Sequence, residues 1–171
     1  MEAMSEHTIP FSGLKDGLHE FDFALGAPFF KATGVEEYEG GKVKAHVELD
    51  KSEHLLVTKI HLNGHVVVAC DHCNAPMQQK VKGDQRQIFK TTDEPDIEDE
   101  ELVGLGPKAH EINLTHYFFE CLTLHMPIRH VHPKGKCDPE VDGAFEKIKV
   151  EHEPVPDPRW DALKVLKNKK R

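Results

Sequence analysis

Through the first two thirds of the chain, apolar and polar residues alternate with the period of two expected of strands that bury one face. Phe21, Phe23 and Leu25 alternate with Glu20, Asp22 and Ala24, after a short apolar start at Ile9 and Phe11. Residues 28–37 predict a short helix or turn. Val43, Ala45, Val47 and Leu49 then alternate strictly with Lys42, Lys44, His46, Glu48 and Asp50, the strongest strand pattern in the chain. Leu56, Thr58, Ile60 and Leu62 continue the theme up to Asn63-Gly64. That dipeptide favours a two-residue type I′ turn, because both positions take positive φ. The expectation is a hairpin whose second strand runs from Val66 to Cys70, followed by an extended stretch from Pro76 to Lys90. These turns predict an antiparallel meander of at least four strands.

The acid-rich stretch at 93–101 and the glycines at 104 and 106 show no periodicity and predict a loop over 92–107. Beyond it the period changes. Leu114, Tyr117, Phe118, Cys121 and Leu122 fall at i, i+3, i+4, i+7 and i+8, with Asn113 as N-cap and Pro127 as stop. A helix of about 12 residues would lay this stripe on the sheet. Asp157-Pro158 opens a second helix carrying Trp160, Leu163 and Leu166. The fold class expected is α+β, an antiparallel meander or partial barrel with two helices packed on it. A single domain would span 1–156, and 157–171 would form a C-terminal helix and basic tail.

At 171 residues, the chain is long enough to bury about 70% of its unfolded surface. Its longest apolar run, Val66 to Cys70, falls far short of a membrane span of roughly 20 residues. Met1 to His7 shows neither the basic nor the apolar region of a secretion signal, so the expected location is the cytoplasm. The net charge of −8 denies the chain a general basic footprint for nucleic acid. The charge is unevenly spread, however. Asp93 to Glu101 holds seven acids in nine residues, whereas Lys164, Lys167, Lys169, Lys170 and Arg171 crowd the last eight. Both runs are read either as solvated ends, or as an RNA-contacting tail beside a loop that discourages indiscriminate phosphate binding.

Four cysteines in a reducing compartment point to metal or redox chemistry rather than disulfides. Cys70-Asp71-His72-Cys73 sits on a tight strand-to-strand turn, where two thiolates can hold one Zn²⁺. The missing half would come from the Pro/Gly-punctuated loop from Arg129 to Cys137. Cys137 with either His130 or His132 would complete a closed Cys₃His site, His132 being preferred. Two other readings remain: Cys70 and Cys73 as a buried hydrophobe and a turn thiol, or a redox dithiol without the usual helix N-terminus. Cys121 belongs to the apolar helix stripe. The chain has no H-E-x-x-H, no G-x-S-x-G, no phosphate-cradling glycine loop and no dinucleotide fingerprint, so no catalytic residue is assigned.

The order of these features resembles the YceD-like proteins, bacterial factors named for large-subunit ribosomal RNA accumulation. The match runs through Ile60-x-x-Asn63-Gly64 and its following apolar strand into Cys70-x-x-Cys73. It continues through the acidic loop, the helix from Ile112 to Leu124, Met126-Pro127-Ile128, the His/Cys loop ending at Cys137, and Asp157-Pro158-Arg159-Trp160-x-x-Leu163 with its basic tail. Two departures stand out. His72 occupies the place where the family turn often has arginine, and the second loop carries a single cysteine where the family often has more. The resemblance implies a non-catalytic role in making or stabilising the large ribosomal subunit. The partner would be its precursor or its RNA, reached directly or through a ribosomal protein or assembly factor, with neither a membrane nor a small-molecule substrate involved. A module for protein interaction without RNA contact is the alternative, and a zinc hydrolase acting on RNA is a more distant one.

Overall fold

The computed structural model describes residues 6–93 and 102–149 together with Arg159. They fall into two compact units, one ending at Cys137 and the other beginning at Asp138. In the first, the strands are β1 (Thr8–Pro10), β2 (Gly17–Leu25), β3 (Gly40–Lys51), β4 (Leu55–Ala69), β5 (Pro76–Thr91), β6 (Leu102–Leu105) and β7 (Glu111–Asn113). Two helices join them, α1 (Ala27–Thr33) and α2 (Thr115–His125). A five-stranded sheet has the order β2-β3-β4-β5-β6, while β1 pairs with β7 in a separate ribbon. The first four strands are an antiparallel meander. β6 joins β5 in parallel. The class is α+β as the periodicity indicates, and the sheet is open, ending at β2 and β6.

The alternation of the sequence becomes the two faces of this sheet. Val43, Ala45, Val47 and Leu49 of β3 are buried, as are Leu56, Ile60, Leu62, Val66 and Val68 of β4 and Val81 and Phe89 of β5. Thr58 shares that face and is buried as well; its hydroxyl donates to the Gln87 carbonyl at 2.9 Å, which satisfies the polar atom inside the core. α1 covers the face with Phe29 and Phe30, and α2 with Phe118, Cys121 and Leu122. His7 is buried among the rings of Phe23, Phe29 and Phe118, at centroid distances of 6.0, 5.5 and 5.6 Å. Burial holds its imidazole below the ordinary value, with Glu6 opposing the shift.

α2 begins and ends close to the expected places. The Asn113 side chain accepts the Thr115 N–H at 2.9 Å. At the other end, the Met126 N–H closes on the carbonyls of Leu122 and Thr123 before Pro127. The second unit contains α3 (Pro139–Ile148), unforeseen in the sequence although Asp138-Pro139 is a good start signal. The Asp138 side chain accepts the Glu140 N–H at 2.9 Å there. No helix among the described residues is long and apolar enough to cross a membrane. The expected helix after Asp157, with Trp160, Leu163 and Leu166, lies outside the described residues, as do the basic tail and residues 94–101.

Two expectations are corrected. There is no turn at Asn63-Gly64: β4 runs straight through it as a 15-residue strand. Leu62 pairs with Ala45 and Gly83, and Gly64 pairs with Val43 and Val81. The glycine serves close backbone approach instead. A Cβ at this position would lie 2.2 Å from the Lys42 carbonyl oxygen and 2.6 Å from the Val43 Cα. The span read as loop from 92 to 107 also contains a strand, because β6 finds ladder partners in Ile88 to Thr91 that its own short Leu-Val-Gly-Leu sequence does not announce.

Gly64→Ala therefore forces β3 from β4 and should lower unfolding free energy by about 2–3 kcal/mol in urea titrations. The exposed neighbour substitution Asn63→Ala should change it by less than about 0.5 kcal/mol.

Candidate metal centre

The core-facing row of β4 consists of its even-numbered residues, and Cys70 continues that row just past the strand's end. It is buried to 2% exposure. The chain then reverses at once. The Cys70 N–H donates to the Ala75 carbonyl at 2.9 Å, and the Asn74 N–H to the Cys70 carbonyl at 2.8 Å. Asn74 takes φ 56, the only positive φ at a non-glycine among the described residues. Asparagine tolerates this left-handed conformation better than most residues. The reversal leaves the half-buried Cys73 beside Cys70 and leads directly into β5.

The second half arrives from the loop after α2. Asp71 and His130 exchange a pair of hydrogen bonds: the Asp71 N–H donates to the His130 carbonyl at 2.7 Å, and the His130 N–H donates to Asp71 Oδ2 at 2.6 Å. This staple fixes the loop against the cysteine turn. A further turn follows, with the Lys136 N–H on the Pro133 carbonyl at 3.0 Å and Gly135 at φ 79. It brings Cys137 back beside His132.

Cys70, Cys73, His132 and Cys137 consequently present one donor atom each, all within 4.8 Å of one another. Cys70 Sγ lies 4.0 Å from Cys137 Sγ. His132 Nδ1 lies 3.4 Å from Cys73 Sγ and 4.0 Å from Cys137 Sγ. Four N and S ligands arranged tetrahedrally around one Zn²⁺ stand roughly 3.6–3.8 Å apart, so these separations fit a single ion. His132 is the histidine brought into the cluster. His130 supplies the backbone staple.

The electrostatics suit cation binding. Burial works against a charged Cys70, yet the N–H groups of Cys73, His132 and His72 aim at its sulfur and, helped by the Cys73 side chain, bring the thiol down to about 5. Cys137 is pushed up to about 11 by burial, then by the Cys70 and Cys73 sulfurs beside it. One preformed thiolate among crowded sulfurs is an arrangement that a divalent cation relieves, because the ion replaces the remaining thiol protons. Cys121 stands apart in the core under α2, its thiol pushed up to about 11 by burial and by the nearby charges of Asp84 and Glu120.

The family model described as large ribosomal RNA subunit accumulation protein YceD matches residues 58–167. The chain belongs to the YceD family. No curated protein and no solved structure gives a significant match. The YceD span takes in most of β4, all of β5 and α2, and every member of the Cys/His cluster. It also includes Lys164 and Lys167 of the basic tail; Lys169, Lys170 and Arg171 follow it. The sequence reading missed Asp71 as the residue joining the two halves. Its only signal was an acidic side chain on the cysteine turn, which spacing alone does not connect to residue 130.

Asp71→Ala removes one partner of the staple and leaves the His130 N–H without its acceptor. Chemical denaturation should show a loss of about 1 kcal/mol, with Asp71→Asn retaining most of the wild-type stability.

Proposed function

We propose that this protein is a non-catalytic, cytoplasmic factor that supports accumulation of large-subunit ribosomal RNA or assembly of that subunit, with a structural Zn²⁺ held by Cys70, Cys73, His132 and Cys137. The observation that carries the first part is membership of the YceD family over residues 58–167. The zinc part rests on the convergence of four soft or borderline donors from two loops more than fifty residues apart. A set of four protein ligands closes the ion, leaving no open position for a substrate or an activated water. That favours a clamp holding the loop against the cysteine turn over the hydrolase alternative. Lys164, Lys167, Lys169, Lys170 and Arg171 act as phosphate contacts in this reading, positioning the protein without reading sequence.

The net charge of −8 favours a second reading in which the protein docks on the precursor particle through a ribosomal protein or assembly factor and makes no direct RNA contact.

Purified protein should contain one zinc per chain by elemental analysis. Cys70→Ser, Cys73→Ser and Cys137→Ser should lose it together with several kcal/mol of stability, since metal binding energy is then folding energy. Cys121→Ser should keep the metal. Thermal unfolding that ignores both a chelator and the first three substitutions would remove the zinc site. For the RNA role, the protein should co-sediment with large-subunit precursors and crosslink to their RNA under ultraviolet light. Deleting residues 164–171 should weaken that association and flatten its salt dependence. Co-sedimentation without a crosslink, unaffected by the deletion, would establish the protein-docked reading.

A further inference from the structure

The face of the sheet opposite the helices carries the odd-numbered residues of β4 and the even-numbered residues of β3 and β5. Along it the charges are sorted. One transverse row reads Asp22, His46, His61 and Asp84, each directly opposite the next. His46 Nδ1 lies 2.9 Å from Asp22 Oδ1, His61 Nδ1 lies 2.6 Å from Asp84 Oδ1, and the two imidazoles stack at 6.3 Å. The row beyond it pairs Glu20 with Glu48 and Glu48 with Lys59. Lys59 in turn stands opposite Arg86, so the carboxylates at this end share the face with histidine, lysine and arginine.

On the other side of that row the face is basic. Lys44, Asn63 and Lys82 stand opposite one another, followed by Lys42, His65 and Lys80. Four lysines form the corners of a rectangle, with two hydrogen-bonding side chains between them. All four are exposed, and none makes an ion pair among the described residues. Strand geometry puts their attachment points about 7 Å apart along a strand and about 10 Å apart across β4. Four like charges at that spacing repel one another, and within the grid no carboxylate relieves them. Beside Lys42, Lys44 and Asn63 the face is also hollowed, with a depression of about 600 Å³ reaching Gly26 and Gly64.

We infer that this lysine grid on β3, β4 and β5 is a docking surface for the phosphate backbone of RNA. The inference rests on the ribosomal RNA reading and gives it a surface on the sheet, separate from the C-terminal tail. Asp84, one row away, feels the charge of Lys82, and a polyanion supplies the counter-charge that the other three lysines lack. Lysines act as point charges that track phosphates without demanding a base sequence. Asn63 and His65, each between the two lysines of its row, offer hydrogen bonds to phosphate or ribose oxygens. The location also suits a chain of net charge −8, because the two grid rows themselves carry four lysines and no carboxylate.

The test is binding of full-length protein to transcribed large-subunit ribosomal RNA by fluorescence anisotropy, from 50 to 300 mM salt. Replacing Lys42, Lys44, Lys80 and Lys82 together with glutamine should reduce the logarithmic salt slope by about 3, near 0.7 for each phosphate no longer neutralised, and weaken binding at 0.1 M salt by about 10²–10³-fold. The four Lys→Arg replacements keep the charges and should retain wild-type binding; circular dichroism and thermal melts establish that both variants fold. Deletion of 164–171 should leave the loss caused by the glutamine variant intact. Wild-type protein that binds RNA with a slope unchanged in the glutamine variant would overturn the docking surface while leaving the RNA role in place. Wild-type protein that does not bind this RNA would overturn direct RNA binding and the docking surface together.

Discussion

One row of side chains along β4, interrupted only at Gly64, organises the first unit. Leu56, Thr58, Ile60, Leu62, Val66 and Val68 all face the helices, each two residues from the next except across Gly64. A strand has only two faces, so one slip in register would send the whole set into water. That constraint fixes the pairing with β3 and β5, and it offers α1 and α2 a continuous apolar surface. It also aims Cys70 inward at the strand's end, so the candidate metal centre inherits its first ligand from the core rather than from a loop of its own.

The failure of the hairpin expectation shows what a local motif omits. A two-residue turn at Asn63-Gly64 would have set Leu62 opposite His65, placing His65 and Val67 on the core side. The apolar row instead continues through Val66 and Val68. Those two residues keep the phase of Leu62 only if the strand goes straight on. The information was in the alternation, and it outweighed the propensity of two residues. Gly64 then reads as a demand for space made by the neighbouring backbone of Lys42 and Val43.

Other parts were legible to different depths. The stripe of Leu114, Phe118, Cys121 and Leu122 gave both the helix and its buried face, because a period of 3.6 needs no partner to be recognised. The four cluster residues could be named from donor chemistry and turn spacing. That they meet could not be read, since it depends on where α2 sets down on the sheet and on the Asp71–His130 exchange. β6 had no signal of its own: a four-residue edge strand is defined mainly by what it pairs with. The lysine grid was written twice as Lys-Val-Lys, at 42–44 and at 80–82. Each copy looks like ordinary strand alternation until the register shows that both flank the same stretch of β4.

The sorting of charge across the outer face of the sheet has a kinetic consequence. With its carboxylates gathered toward one end and its lone lysines at the other, the face carries a dipole that acts well before any contact forms. A negatively charged molecule with such a face is turned as it nears a polyanion, its acidic end swinging away and its lysine end leading. Orientation during the approach would spare the encounter complex much of the rotational search that a uniformly acidic surface imposes, while the net negative charge would shorten the lifetime of encounters made the wrong way round.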